Sequence, residues 1–597
     1  VTRTDARIAG LVGVEAEVNT GPAVAYAGLR RAIEALRDAG ATFGEIPGRY
    51  GVEWAELFPG EGSGGPVLAE IALAASERRL HRESEQVFRV LAVGAAALCH
   101  GVAEVGRPLV LLGVGGADLP SLRGFMRAVE HARTVPGADI VPRDPERVRA
   151  PLAEAADLRA ERAGCLRRMG LGLEPGDLRA DLPASGADDA AGWPDGELYR
   201  RAMDPGAPAA DRLAAALAYS RAAFFTANWE GMAVVAAAAL GLTRGLPDAR
   251  VPAVLEAAGR HDGQAEAIEF EPAVLRTAAD LRAYLCKVLG IQATFRGRQD
   301  EALACFRAMR GGEGRVLPEV RAQSHLYAAL TLVKRMDRVG EAIRELERGF
   351  AAVPPRAGES GGHRRERGWL HNLRGLTCFA LGEPREALEH EKRALACIEG
   401  LSDASSVHLR INLLSNVSVL QEKTGRHRQA LATWARFERA AGASNTPFAK
   451  HHAYRAAGLA LLAADRDAAT AGLERSLACA EESRDDFHAC EIRLETGGLL
   501  VRAGDAAGAY ACFAAGEEAA RRLGDPYRIA LALAGQAVCG GRAPGAEVAA
   551  VAARSLANAG RARALCERAD SAVGAAELLP GPRTKLNRPF DLVNFQG

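Results

Sequence analysis

Apolar residues recur at three- and four-residue intervals along most of the 597-residue chain, the periodicity of helices with one face turned inward. The exception is the first 135 residues. There Leu11-Val-Gly-Val-Glu-Ala-Glu-Val18 alternates as a half-buried strand does, and Pro108-Leu-Val-Leu-Leu112 is continuously apolar and ends in glycines. Helical patterns at Val24–Ala41, Arg82–Val105 and Leu119–Thr134 lie between and after these runs, so residues 1–135 read as a small incomplete α/β unit with parallel strands. Residues 136–208 accumulate proline, glycine and aspartate and read as an irregular linker with a short helix near 150–168. From 209 to 540 helical segments come in pairs. Terminal capping helices follow over 541–577, and 578–597 reads as a flexible tail.

Periodicity at a longer scale organises the paired region. Alanines at 302, 342, 387, 430, 469 and 509 each open the second helix of a pair, at spacings of 40, 45, 43, 39 and 40 residues. Leu289-Gly290, Gly297, Ala302 and Phe306 stand in the same relative positions as Arg374-Gly375, Gly382, Ala387 and Glu391. Gly497, Gly504, Ala509 and Phe513 repeat them. Small residues fall where two antiparallel helices must approach closely and at the turn between them. This pattern resembles the tetratricopeptide repeat over roughly 209–540, although the commonly aromatic positions are Cys378, Pro384 and Glu391 in the best unit. The resemblance implies a mainly α fold, an α-solenoid in which each hairpin is stabilised by its neighbours and the first helices line a concave groove. Counted from the alanines, the outward positions of those helices are Tyr284, Lys287, Tyr327, Lys334, Trp369, Asn372, Asn412, Ser415, His451 and Tyr454. Aromatics mixed with amides and cations suit an extended peptide, whose main chain needs hydrogen-bond partners and whose side chains need platforms.

The amino-terminal unit carries a second resemblance. Ala117-Asp118, Pro120 and Ser121-Leu122, directly after the 108–112 strand, are similar to the residues after the Walker B strand in signal-transduction ATPases that bear such arrays, including large LuxR-type regulators. The acids that would hold Mg²⁺ are replaced by Leu112, Gly113 and Val114, and the chain has no G-x-x-x-x-G-K-[ST]. By that resemblance the P-loop would lie before Val1, and the unit reads as a degenerate ATPase. A competing reading makes Gly113, Gly115, Gly116 and Asp118 a nucleotide-binding turn, since glycines between a strand and a helix admit a pyrophosphate. The third glycine of that fingerprint is missing, and Pro120 removes one N–H.

Composition narrows the functional classes. Lys+Arg and Asp+Glu are 75 each, so no global field favours nucleic acid or membrane surfaces. The eleven cysteines are scattered through apolar helical stretches and read as core residues of a reducing compartment. The apolar stretches around 87–106 and 222–242 are interrupted by Arg89, His100 and Glu104, or by Asn228 and Glu230, which argues against a membrane span. No metal-ligand spacing, nucleophile elbow or kinase-type motif is present, so no cofactor, metal or catalytic residue is expected. The proline-rich end is too short for the helix-turn-helix domain that closes LuxR-type relatives, so direct DNA binding is not expected. Its Phe590, Leu592, Val593 and Phe595 form a candidate linear peptide that docks on a partner or back into the array.

The sequence therefore points to a cytoplasmic, non-catalytic interaction or regulatory module that binds a peptide or protein partner in a repeat groove. An accessory role beside a biosynthetic enzyme fits the same features, and self-association is open. The alternative is a nucleotide-dependent signalling relative that still binds ATP.

Overall fold

The continuous apolar run Leu109–Leu112 forms the middle strand of a three-stranded parallel sheet, ordered β1 (Val14–Glu17), β2 (Leu109–Leu112), β3 (Ile140–Arg143), in a computed structural model of the chain. Val14 pairs with Leu109, and Leu109 with Ile140. The structure describes residues 13–61, 67–72, 85–143, 148–150, 156–171, 178–180, 193–261, 275–311, 316–441, 446–555 and 558–586. A central strand covered on both faces has no reason to alternate, which explains its unbroken apolar run. β3 and a further parallel pair, β4 (Val148–Ala150) with β5 (Leu178–Ala180), lie within the stretch read as linker. These strands are three or four residues long, too short to leave a periodic signal.

Asp118 ties the first unit together. Wholly buried, it accepts hydrogen bonds from the main-chain N–H groups of Tyr26 (2.9 Å), Gly28 (3.0 Å) and Ser121 (3.0 Å). It thereby caps the Leu119–Ala132 helix and fixes the Ala27–Asp38 helix beside it. The Glu85–Val105 helix is long and apolar enough to cross a membrane by length and composition. The Arg89, His100 and Glu104 interruptions do not prevent that, and 83% of the relevant window is buried inside the protein.

From residue 209 the described elements are helices, most of them packed in successive pairs. The six register alanines are each the fourth residue of a second helix, as with Ala302 in Gln299–Ala308 and Ala387 in Pro384–Cys397, and all six are completely buried. Five residues before each alanine the backbone is left-handed: Gly297, Asp337, Gly382, Gly425, Ala464 and Gly504, with φ between 54° and 82°. Glycine supplies that conformation without strain at four of the six turns. Twelve residues before the alanine stand Gly290, Leu330, Gly375, Ser418, Ala457 and Gly497. A Cβ on Gly290 or Gly497 would lie within 3 Å of the ring of Phe306 or Phe513, the residue four past the alanine. The repeated small residues are thus the contact points of paired helices.

The array closes on the amino-terminal unit at both ends. Near its start, the Tyr219 hydroxyl donates to the carbonyls of Pro22 (3.1 Å) and Ala23 (3.0 Å). Near its finish, Phe88 meets Phe487 edge-on at 4.2 Å, Arg127 donates to the Leu523 carbonyl (3.1 Å), and Arg554 to that of Arg133 (2.9 Å). A single apolar core runs from Val14 through the sheet and into the repeats as far as Leu413. That core includes buried residues on both sides of 135 and of 208.

Candidate functional site

The first helices of four successive pairs, Pro318–Arg335, Gly361–Ala380, Ala404–Lys423 and Thr446–Leu462, face a cavity of about 450 Å³. Six of the ten ladder positions line it: Lys334, Trp369, Asn372, Asn412, Ser415 and His451. Lys334 is exposed, whereas Asn372, Asn412, Ser415 and His451 are partly buried. Trp369 lines the wall from within the core, its indole N–H donating to Ser405 Oγ at 3.2 Å.

The other four positions differ from the sequence expectation of outward side chains. Tyr284 and Lys287 are buried, the ammonium 4.7 Å from the centre of the Tyr284 ring. Tyr327 is buried and stacks on Phe306 at 5.3 Å, filling the gap between neighbouring pairs. Tyr454 is buried and donates its hydroxyl proton to Glu495. A periodic count gives the angle of a side chain around its own helix. Which angles are covered depends on how closely the next pair stacks, and here that stacking covers these rings.

One wall of the cavity is the chain's own carboxy-terminal segment. Residues 579–586 lie across the first helices of the last two large pairs, held mainly through their main chain. Arg502 donates to the carbonyls of Leu579 (3.3 Å) and Pro580 (3.1 Å), Arg455 to that of Thr584 (3.0 Å), and the Arg583 N–H donates to Tyr454 Oη (2.9 Å). Thr584 Oγ1 donates to Glu422 at 2.7 Å, and Leu586 is buried beside Tyr454, Ala457 and Leu473. The helices give way to it at glycines. A Cβ on Gly458 would fall 2.1 Å from the Arg583 carbonyl oxygen, and one on Gly498 would fall 1.8 Å from that of Pro580. Part of the stretch read as a flexible tail, 579–586, is therefore seated on the array. Phe590, Leu592, Val593 and Phe595 lie outside the described residues.

At the floor of the cavity Asn416 donates to Asn372 Oδ1 at 2.7 Å and reaches Glu391 Oε1 at 3.4 Å. Glu391 is 2% exposed, and burial without a facing cation pushes its carboxyl up to about 8. His371 and His390 stand with their Nδ1 atoms 3.0 Å apart nearby, and burial brings His371 down to about 4. Asn416, Glu391, Trp434 and Arg455 are site residues that counting along first helices missed. Glu391 carried a legible signal, a charge at a position held by phenylalanine in two sister units.

The glycine turn after β2 packs on the protein itself. Gly113 is left-handed (φ 70°), a Cβ on Gly116 would lie 2.1 Å from Asn19 Oδ1, and the carbonyls of Gly115 and Ala117 both accept from Arg162 at 2.8 Å. Arg162 is also ion-paired with the buried Glu230. With Asp118 committed to three N–H groups, the polar atoms of this turn are engaged within the fold.

A buried ionic cluster joins the Glu85–Val105 helix to the far end of the array. Lys450 bridges Glu85 and Asp485, Arg89 pairs with Glu53, and His488 Nδ1 stands 2.7 Å from Asp485. Glu85, His451 and His488 bring potential metal-ligand atoms within 4.8 Å of one another. The Lys450 ammonium already supplies the positive charge there. It holds Glu85 down to about 2 and Asp485 well below the carboxylate range, against the opposing effect of burial.

No protein-family model matches the chain, and no curated protein matches it. Solved structures are similar to it, among them three at 12% identity each. One is aspartyl phosphate phosphatase F from Bacillus subtilis, over 63% of this chain and 96% of that one, with a TM-score of 0.32. Another is a Rap conjugation gene regulator of the plasmid pLS20 in complex with the Phr peptide, over 61% and 96%, at 0.31. The third is a signal-transduction ATPase with numerous domains and a tetratricopeptide repeat sensor from Pyrococcus horikoshii, over 94% and 97%, at 0.34.

Proposed function

We propose that the chain is a peptide-binding regulatory module that acts by occupancy of the groove along its first helices, without turnover. The observation that carries this reading is the seating of residues 579–586. An extended segment lies on the array with its carbonyls and one N–H satisfied by Arg455, Arg502 and Tyr454, and with glycines at its closest approaches. Main-chain recognition of this kind is sequence-tolerant, and adjoining pockets supply selectivity. The 450 Å³ cavity next to Thr584 and Leu586 is such a pocket, of a size for one or two side chains.

A direct test removes residues 579–597 and adds the nonapeptide Leu-Leu-Pro-Gly-Pro-Arg-Thr-Lys-Leu, the sequence of 578–586, labelled for anisotropy. Saturable binding is expected, weakened at least tenfold by Arg455→Ala combined with Tyr454→Phe. A shortened chain that keeps its helical circular dichroism and binds no peptide would sink the reading.

A further inference from the structure

Four residues past the register alanine, the six helix pairs carry Phe306, Leu346, Glu391, Trp434, Leu473 and Phe513. Five of these side chains are apolar, as packing of a second helix on a first requires. The third pair places a carboxyl there instead, pressed against Gly375, where a Cβ would come within 2.9 Å of Glu391 Oε1. A leucine of the Leu346 or Leu473 kind suits the same register, so nothing in the repeat fold calls for the charge.

The carboxyl is also poorly satisfied. Oε1 has a single long contact with Asn416 (3.4 Å), whose better hydrogen bond goes to Asn372 (2.7 Å), and Oε2 has no hydrogen-bond partner among the described residues. Burial keeps this carboxyl largely protonated near pH 7 and leaves it an unmatched polar group, whereas a cation arriving from outside would ionise it and satisfy it. Glu391 is the one carboxyl among the cavity-lining residues. Of the basic groups there, Arg455 is paired with Glu422 at 3.1 Å, and burial holds His451 and His452 down to about 4, so both rings are neutral at pH 7. Lys334 and Lys585 line the cavity without acting on the Glu391 carboxyl, which feels only its burial and Asn416. Much of the remaining lining is apolar, Leu330, Leu373, Leu376 and Trp434 among it. A cavity bordered by apolar side chains and by an unmatched acceptor suits a side chain with a methylene stem and a cationic head.

We infer that the cavity is a specificity pocket for a basic side chain, lysine or arginine, of the peptide bound in the groove, with Glu391 as counter-charge and Asn372 Oδ1 as a second acceptor. This assignment rests on the groove being a peptide site. Asn416 positions both acceptors and makes the floor of the pocket.

The test uses the full chain and two probes, acetyl-Leu-Lys-Leu-amide and acetyl-Leu-norleucine-Leu-amide, titrated by calorimetry. The wild-type chain is expected to prefer the lysine probe by about tenfold or more. Glu391→Leu brings the ratio to about one while the thermal midpoint stays at or above the wild-type value, because leucine fits this register. Glu391→Gln, which keeps the shape, also lowers the ratio and decides the matter if the leucine variant fails to fold. Equal binding of both probes by the wild type, or a preference that survives Glu391→Leu, would overturn the pocket assignment and leave the groove intact. If neither probe binds the full chain, whose segment 579–586 lies on the array, both are titrated into the chain lacking residues 579–597, and no binding there overturns the pocket assignment and the groove reading together.

Discussion

The hydroxyl of Tyr454 accepts the main-chain N–H of Arg583 at 2.9 Å while donating to Glu495, so one buried phenol joins the carboxy-terminal segment to the sixth repeat pair. Burial and the neighbouring Glu491 push Glu495 up to about 8, which keeps it largely protonated near neutral pH. The segment is therefore held through main-chain contacts and a few polar side chains, a mode from which it can be displaced.

Gly458→Ala is expected to lift the segment, because the new Cβ would meet the Arg583 carbonyl oxygen at 2.1 Å. The substitution is otherwise favourable inside a helix by about 1 kcal/mol. Hydrogen exchange should therefore accelerate at Arg583 and Thr584 while the Thr446–Leu462 helix keeps its protection. Unchanged exchange at Arg583 would show that the helix yields instead of the segment.

Ala464 occupies the left-handed turn position (φ 62°) that glycine fills in four sister turns. Ala464→Gly relieves that strain and should stabilise the chain by about 0.5–1 kcal/mol, and Gly382→Ala should destabilise it by about 1 kcal/mol. Urea midpoints at constant m-value measure both. The argument fails if Ala464→Gly lowers the midpoint.

Asp118→Ala leaves the N–H groups of Tyr26, Gly28 and Ser121 buried without their acceptor, so a loss of about 3 kcal/mol or more is expected in denaturant unfolding. Because the turn at 113–118 is engaged within the protein, labelled ATP at millimolar concentration should show no saturable binding to the wild type. Saturable binding lost on altering Gly115 and Gly116 would restore the nucleotide alternative.

Acid should open the junction between the Glu85–Val105 helix and the far repeats. Lys450 lowers Glu85 to about 2 and lowers Asp485 too, so the unfolded state binds more protons at these groups as pH falls below about 5. Burial holds His451 down to about 4, so it also takes up a proton on opening between about pH 4 and 6.5, despite the hydrogen bond it donates to Glu85, which favours its charged form. All three effects make stability rise with pH, present above about pH 6.5 and progressively lost toward pH 2. Arg89, Glu53 and His488 complete the surroundings of the cluster. Lys450→Met leaves two buried carboxylates uncompensated and should cost about 3–5 kcal/mol at pH 7. Protection factors of residues 85–105, taken relative to intrinsic exchange across pH 3–8, read both effects, and protection that does not change with pH contradicts them.

Much of the architecture was legible because its requirements are local. An alanine that must let two helices touch, and a glycine that must take a positive φ five residues earlier, recur at fixed register whatever the neighbours do. Ala302, Ala387 and Ala509 thus announced buried contact points, and Pro108–Leu112 announced a covered strand. Glu391 was visible as a departure from that register, but its meaning was not. A carboxyl at an apolar position is a surface residue in one packing and a buried acceptor in another.

The sequence by itself determined the helix pairs, their turns and the face formed by the first helices, since these follow from backbone geometry and side-chain size within some forty residues. Only the tertiary structure decided which ladder residues are exposed. It also decided that the Glu85–Val105 helix is an internal element bridging to Phe487, and that residues 579–586 return to lie on Gly458 and Gly498. Those outcomes depend on contacts between segments up to 437 residues apart, and no periodicity along the chain encodes such distances.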